Sequence, residues 1–288
     1  MPILTPKRVF LDTWVLNRLA DDEWPGAFSE LVRRIRDCSW QVIVTYDHVF
    51  DWGSDSNRER AQDAARFVRQ RLDPLWMLCG GNLLRLEAYR EFCREAGKPV
   101  PQRPWPSRRL HDLWAVMPWP SEVQPSIDAV KHISADLFVD GAVESWFALD
   151  DRERRLLTAQ LKALFNANRL WARQKGVAWS KHAALVWRRH LAEWAASEDA
   201  DPALKWNDDR LPRMPGWEAR FAVEKIWHSN PQRQPKPGDY ADMNHLALLP
   251  YVDSFVSERN LGGMIRQAKL HDYEQRVFRK MDEWVAST

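Results

Sequence analysis

Val9-Phe10-Leu11 form a short apolar run that stops at Asp12, and beyond it Trp14, Val15, Leu16 and Leu19 recur at helical spacing. This predicts a strand, then a helix, with a carboxylate at the junction. Pro25 opens a second helical pattern, with Ala27, Phe28, Leu31, Val32 and Ile35 on one stripe, and Trp40 to Val44 then reads as a buried strand. Ala61, Ala64, Ala65 and Val68 mark a helix over 57–71, Leu75 to Leu78 a third strand, and 82–94 another helix. Strands alternating with helices predict an α/β fold built on a parallel sheet.

The alternation breaks near Gly97. Lys98 to Pro106 carries four prolines, and the helical patterns resume only over 150–170 and 179–194. The segments 207–217 and 230–238 are polar and proline-rich. After them Asp239 can cap a helix containing Asp242, His245, Leu246 and Leu249. Pro250-Tyr251-Val252-Asp253 turns into a strand over Ser254 to Val256, and a C-terminal helix is expected to carry Tyr273, Val277, Phe278, Met281 and Trp284 on its apolar side. The organisation expected is therefore a core in two parts, 1–96 and 215–288, interrupted by a helical insertion over 97–214.

Composition changes this picture little. The 288 residues carry 42 Lys+Arg and 40 Asp+Glu, for a net charge of +2, with 45% hydrophobic residues, which excludes disordered and collagen-like chains. No stretch approaches a membrane span and Met1 to Leu11 has no signal-peptide core, so a cytoplasmic protein without a membrane partner is expected. Cys38, Cys79 and Cys93 lack metal-site spacing and read as reduced thiols of the core.

The charge distribution says more. From Arg152 to Arg189 ten bases, among them Arg169, Arg173, Lys175, Lys181, Arg188 and Arg189, face Glu153 alone, and Trp171, Trp179 and Trp187 fall between them. Such a segment suits tracking of phosphates and stacking of unpaired bases; the competing reading is a solvated helix face with tryptophans anchored in the core.

Open parallel sheets hold their chemistry at the carboxyl ends of the strands. Asp12 occupies such an end, Asp51 follows the second strand, and Glu258 follows Phe255-Val256-Ser257. Asp239 and Asp242 share a helix face, and Asp253 precedes the strand over 254–256. Clustered carboxylates repel one another unless protonated or bound to a hard cation, and oxygen donors suit Mg²⁺ or Mn²⁺. Each Asp taken singly also reads as a helix cap or turn residue.

Val9-Phe10-Leu11-Asp12-Thr13 resembles the opening strand and first acidic residue of PIN and PIN-like nuclease domains. The segment 238–259, with Asp239, Asp242, His245, Pro250-Tyr251-Val252-Asp253 and Ser257-Glu258-Arg259, is similar to the C-terminal half of bacterial PIN-like proteins. The likeness extends weakly over 7–95 and well over 215–265. It implies a PIN-like, Rossmann-type core and a metal-dependent endonuclease, in this family most often a ribonuclease. Asp12, Asp242 and the acidic residue after the last strand, Glu258, would be the metal ligands. Toxin or antiviral-defence roles and a protein regulator are further implications.

The chain departs from the pattern at several places. Trp14 follows Asp-Thr where a small residue or Asn is common, Asp51 stands in place of a Glu, and Glu258-Arg259 replaces an Asp and its neighbour. Glu87 is an alternative second ligand or a residue of a solvated helix face, and His245 a phosphate contact, an orienting group or a structural histidine. The alternatives to a nuclease are a nucleic-acid-binding or regulatory module whose site has decayed and, on the same sheet, a phosphatase or DNA nuclease.

Overall fold

The computed structural model describes residues 5–54, 57–108, 112–113, 116–117, 174–195, 207–230, 232, 239–257 and 259–288. Five strands, β1 (Lys7–Leu11), β2 (Trp40–Val44), β3 (Leu75–Trp76), β4 (Ser254–Val256) and β5 (Val277–Phe278), form one parallel sheet in the order β3-β2-β1-β4-β5. Val9, Phe10, Leu11, Val42, Ile43, Phe255 and Val256 are inaccessible to solvent. These unbroken apolar runs are what a parallel sheet covered on both faces demands.

The helices between the strands are α1 (Thr13–Ala20), α2 (Pro25–Arg36), α3 (Tyr46–Ser54), α4 (Arg58–Leu72) and α5 (Gly80–Glu95). Local signals place their ends: Pro25 opens α2, the Asn57 side chain accepts from the Arg60 N–H at the start of α4, and Asp73 closes α4 in the left-handed region with φ 42°. The α3 helix was not legible as a separate element, because its polar residues Asp47, His48 and Asp51 turn inward and blur the apolar stripe.

Beyond α5 come α6 (Trp179–Ala195), a 3-10 turn over Asp208–Arg213, α7 (Pro215–Ser229), α8 (Asp239–Leu246), α9 (Arg259–Gln267), α10 (His271–Glu274) and α11 (Met281–Ser287). Within the polar, proline-rich stretch, Pro215 stands at the first turn of α7 and starts a helix there. The expected single C-terminal helix is corrected: Lys269 has φ 55°, α10 is short, and Val277–Phe278 leaves the helical path to pair with Phe255–Val256 as an edge strand. Apolar spacing of 273, 277, 278, 281 and 284 fits a helix, but an open sheet edge offers that dipeptide main-chain partners. The strand over 254–256 is therefore not the last in the sheet.

A second, smaller core joins α5, α6 and α7 through Leu84, Ala88, Phe92, Ala183, Trp187, Trp217 and Phe221. Trp187 is fully buried and meets Trp217 edge-on at 5.6 Å, while Trp179 packs edge-on against Phe221 at 5.3 Å. Of the two readings of these tryptophans, anchoring in the core is the one that holds for Trp179 and Trp187, since α6 uses them to dock. Trp52, Trp76, Trp217, Trp227 and Trp284 are also fully buried, so most of the tryptophans among the described residues serve core packing. Cys93 is buried, but Cys38 is exposed, contrary to its expected place in the core, because it sits in a tight turn with φ 52°. The helix expected over 150–170 lies outside the described residues.

Candidate active site

The strand order sets the location. The chain runs from β1 outward to β2 and β3, then returns to the other side of β1 to build β4 and β5, so the carboxyl ends of β1 and β4 flank a topological switch point. Asp12 follows β1 there. Its backbone N–H donates to the carbonyl of Val256 at 2.9 Å, and the Ser257 hydroxyl donates to its Oδ2 at 2.7 Å. Asp12 is only 7% exposed. Burial raises its carboxyl above the usual range, against the opposing pull of Ser257, His48 and the backbone amides of Thr13 and Trp14.

Two buried histidines complete this corner. His48 Nε2 lies 2.8 Å from the Leu11 carbonyl and Nδ1 accepts from the Thr45 N–H at 3.0 Å, so the ring is neutral with its proton on Nε2. It ties the end of β1 to the end of β2 and thereby fixes the backbone that presents Asp12. His245, one turn after Asp242 on α8, is 1% exposed, with Nδ1 3.8 Å from Asp12 Oδ1. Its ring stacks on His48 at 5.6 Å and lies 5.0 Å from Phe10. Neither ring nitrogen has a hydrogen-bond partner among the described residues. Burial lowers His48 and His245 each to about 4, so both are neutral at neutral pH.

The other carboxylates divide. Asp51 is brought to the same edge, accepting from the Thr13 hydroxyl at 3.0 Å. Asp242 is half-buried on α8. Asp239 opens α8 and Arg259 opens α9, but their side chains, and Glu258 altogether, lie outside the described residues. Asp253 is corrected as a ligand beside Asp12. Its carboxylate accepts from the Arg8 N–H at 2.7 Å at the amino side of the sheet, four residues before the level of Asp12, or roughly 13 Å along the strand.

Glu87 is corrected as well. Its carboxylate accepts from the Gly216 and Trp217 N–H groups at 2.9 and 3.1 Å and from the Tyr251 hydroxyl, capping the start of α7. Burial raises Glu87 to about 7 even so. A carboxyl raised in the folded state from its ordinary 4.5 favours the fold when protonated. That contribution is fully present below about pH 4.5, falls as pH rises to 7 by up to roughly 3 kcal/mol, and is then flat. Glu87→Gln is expected to remove this slope, as read by urea unfolding at pH 5 and pH 8.

Residue type alone does not mark Ser257, Thr13 and Asn244 as members of the site, and His48 lies close to Asp47 and Asp51 in sequence without zinc-site spacing. The available signal was position: Ser257 directly follows a strand, and Thr45 to His48 follow another. Asp47, beside His48, spends its carboxylate on the Gly80 N–H at 3.0 Å and the Asn244 amide at 3.2 Å. Of the basic residues expected to meet nucleic acid, Lys175, Lys181 and Arg188 are exposed. Arg169, Arg173 and the Arg189 side chain lie outside the described residues, as does Trp171.

Among the described residues, no three His, Cys, Asp or Glu side chains form a metal-holding group by themselves. Mg²⁺ and Mn²⁺ need less from a protein, taking one or two carboxylates and completing their shell with water and substrate phosphate. Asp12 with Asp51 or Asp242 fits that demand chemically, and the unpartnered nitrogens of His245 mark buried polar capacity beside it. Fold and site together define an α/β protein with a carboxyl–imidazole corner at its switch point. No protein-family model, curated protein or solved structure matches the chain. Among the described residues no helix is long and apolar enough to cross a membrane.

Proposed function

We propose that this protein is a metal-dependent endonuclease that hydrolyses phosphodiester bonds in RNA in preference to DNA. The observation that carries this reading is the burial of Asp12 at the β1/β4 switch point beside an imidazole whose nitrogens have no hydrogen-bond partner among the described residues. The likeness of residues 9–13 and 238–259 to PIN-like nucleases points to the same carboxylate, and a toxin or defence role under a protein regulator belongs to that reading. Asp12, with Asp51, Asp242 and Glu258 as companions, would hold Mg²⁺ or Mn²⁺. Such an ion lowers the pKa of a bound water and stabilises the leaving oxygen of a phosphodiester.

The chain's own groups set the stage for that chemistry. Ser257 engages Oδ2 of Asp12 and so leaves Oδ1 on the side of His245. His48 holds the Leu11 carbonyl and with it the Asp12 backbone. His245, neutral and buried with Nδ1 3.8 Å from Asp12 Oδ1, would orient that carboxylate from the side opposite Ser257.

A second reading is a binding or regulatory module with a decayed site. Its support is that Asp51, standing where the family pattern has a longer Glu, is engaged by the Thr13 hydroxyl. Labelled single-stranded RNA and DNA incubated with Mn²⁺, Mg²⁺ or chelator separate the two. Cleavage that needs the ion and stops in chelator is the expected result; salt-sensitive binding that ignores chelation, without cleavage, would replace the nuclease with the module.

A further inference from the structure

Trp105, in the proline-rich run after α5, is 61% exposed and is the most exposed of the large apolar side chains among the described residues. It is held in place. The guanidinium of Arg8 lies over its ring, 4.4 Å from the centroid, and Arg8 Nη1 donates to the Tyr251 carbonyl at 3.4 Å. An indole covered on one face by a cation, and largely open to solvent, is a ready platform for a second flat group.

Other guanidiniums gather around Tyr251. Arg90 and Arg94, four apart on α5, share a helix face, and Arg103 acts on both Arg90 and the Tyr251 hydroxyl. Acidic groups offset part of this charge: Asp253 faces Arg8, Glu87 faces Arg90, and Glu91 pairs with Arg94 at 2.7 Å. The offset is incomplete. Arg103 is exposed, and Nη1 of Arg90 is buried with no hydrogen-bond partner among the described residues. Crowded like charges and an unsatisfied buried donor are both relieved by an anion rich in oxygen acceptors.

We propose that Trp105, Arg8, Arg90 and Arg103 form a docking surface for single-stranded nucleic acid, with a base stacked on Trp105 and phosphates held by Arg90 and Arg103. An unpaired strand offers both π-faces and phosphates at short intervals. A duplex keeps its base faces stacked within, and an acidic peptide has carboxylates without the repeated flat groups. The surface is distinct from the Asp12 corner, since Arg8 precedes Asp12 by four residues along β1. The inference rests on the nucleic-acid part of the function proposed above and not on cleavage.

The test is fluorescence anisotropy of a labelled oligouridylate in chelator, with the wild-type protein and the Trp105→Ala, Trp105→Phe and Arg103→Gln variants. Trp105→Ala should weaken binding about tenfold, while Trp105→Phe retains most of it. Arg103→Gln should weaken binding and lower the salt slope by about one unit. Wild-type affinity in Trp105→Ala overturns the proposal, as does competition by poly-glutamate as effective as that by unlabelled oligonucleotide. Binding lost in Trp105→Ala without metal-dependent cleavage by the wild type upholds this surface and removes the nuclease. Cleavage together with unchanged binding in Trp105→Ala does the reverse.

Discussion

Asp12→Asn should lower metal-dependent cleavage of RNA by about a thousandfold or more without destabilising the protein. The amide keeps the shape of the carboxyl, and its oxygen can still accept from the Ser257 hydroxyl, which donates to Asp12 at 2.7 Å. What disappears is the charge. Burial already disfavours the Asp12 carboxylate, so a neutral replacement relieves an electrostatic cost and the urea midpoint should stay or rise. Initial rates on labelled RNA with Mn²⁺, measured beside urea unfolding, give both readouts. Activity within tenfold of wild type would remove Asp12 from the chemistry and with it the proposed reaction. Equal loss of activity and stability would make Asp12 a structural residue.

Gly80→Ala should have the largest effect on stability. A Cβ at Gly80 would stand 1.9 Å from the Asn244 carbonyl oxygen and 2.5 Å from its carbon, and both belong to backbone that cannot swing aside. The start of α5 and α8 must therefore separate. Asn244 also bonds to Asp47 and accepts from Arg220 Nη1 at 3.4 Å, and the next residue is His245, so the displacement would reach the Asp12 corner. A loss of about 3 kcal/mol or more in urea unfolding is expected. Gly81→Ala is the control: nothing lies within 4 Å of its Cβ, and a helical alanine there should stabilise by about 0.5–1 kcal/mol. Equal stability of the two variants would show that α5 and α8 do not meet as closely as described.

Much of the core was legible because its signals are local. The apolar runs at 9–11, 40–44 and 254–256 are strands in one sheet, and the helix expected over 57–71 agrees with α4 to about one residue at each end. Asp12 could be placed at a strand end from five residues. The candidate site was legible only in part, since a strand end identifies which residue faces the edge but not which edge a neighbouring acid shares. Asp253 and Asp12 each adjoin a strand, yet parallel pairing of β1 with β4 puts them at opposite ends of the sheet. Glu87 looked like a spare carboxylate on a helix, whereas the start of α7, 129 residues later in the chain, claims it.

Hydrophobic periodicity, turn residues and the Asp12 junction are properties of short segments, and the sequence by itself determined them: an α/β protein, the apolar strands of its core, and a carboxylate at the end of β1. The tertiary structure alone decided that β4 and β5 lie on the far side of β1 from β2 and β3 and that His48 and His245 stack beside Asp12. It also decided that Trp187 is core while Trp105 is surface. These outcomes depend on contacts between residues far apart in the chain, whose energies come from burial and pairing that no local pattern records.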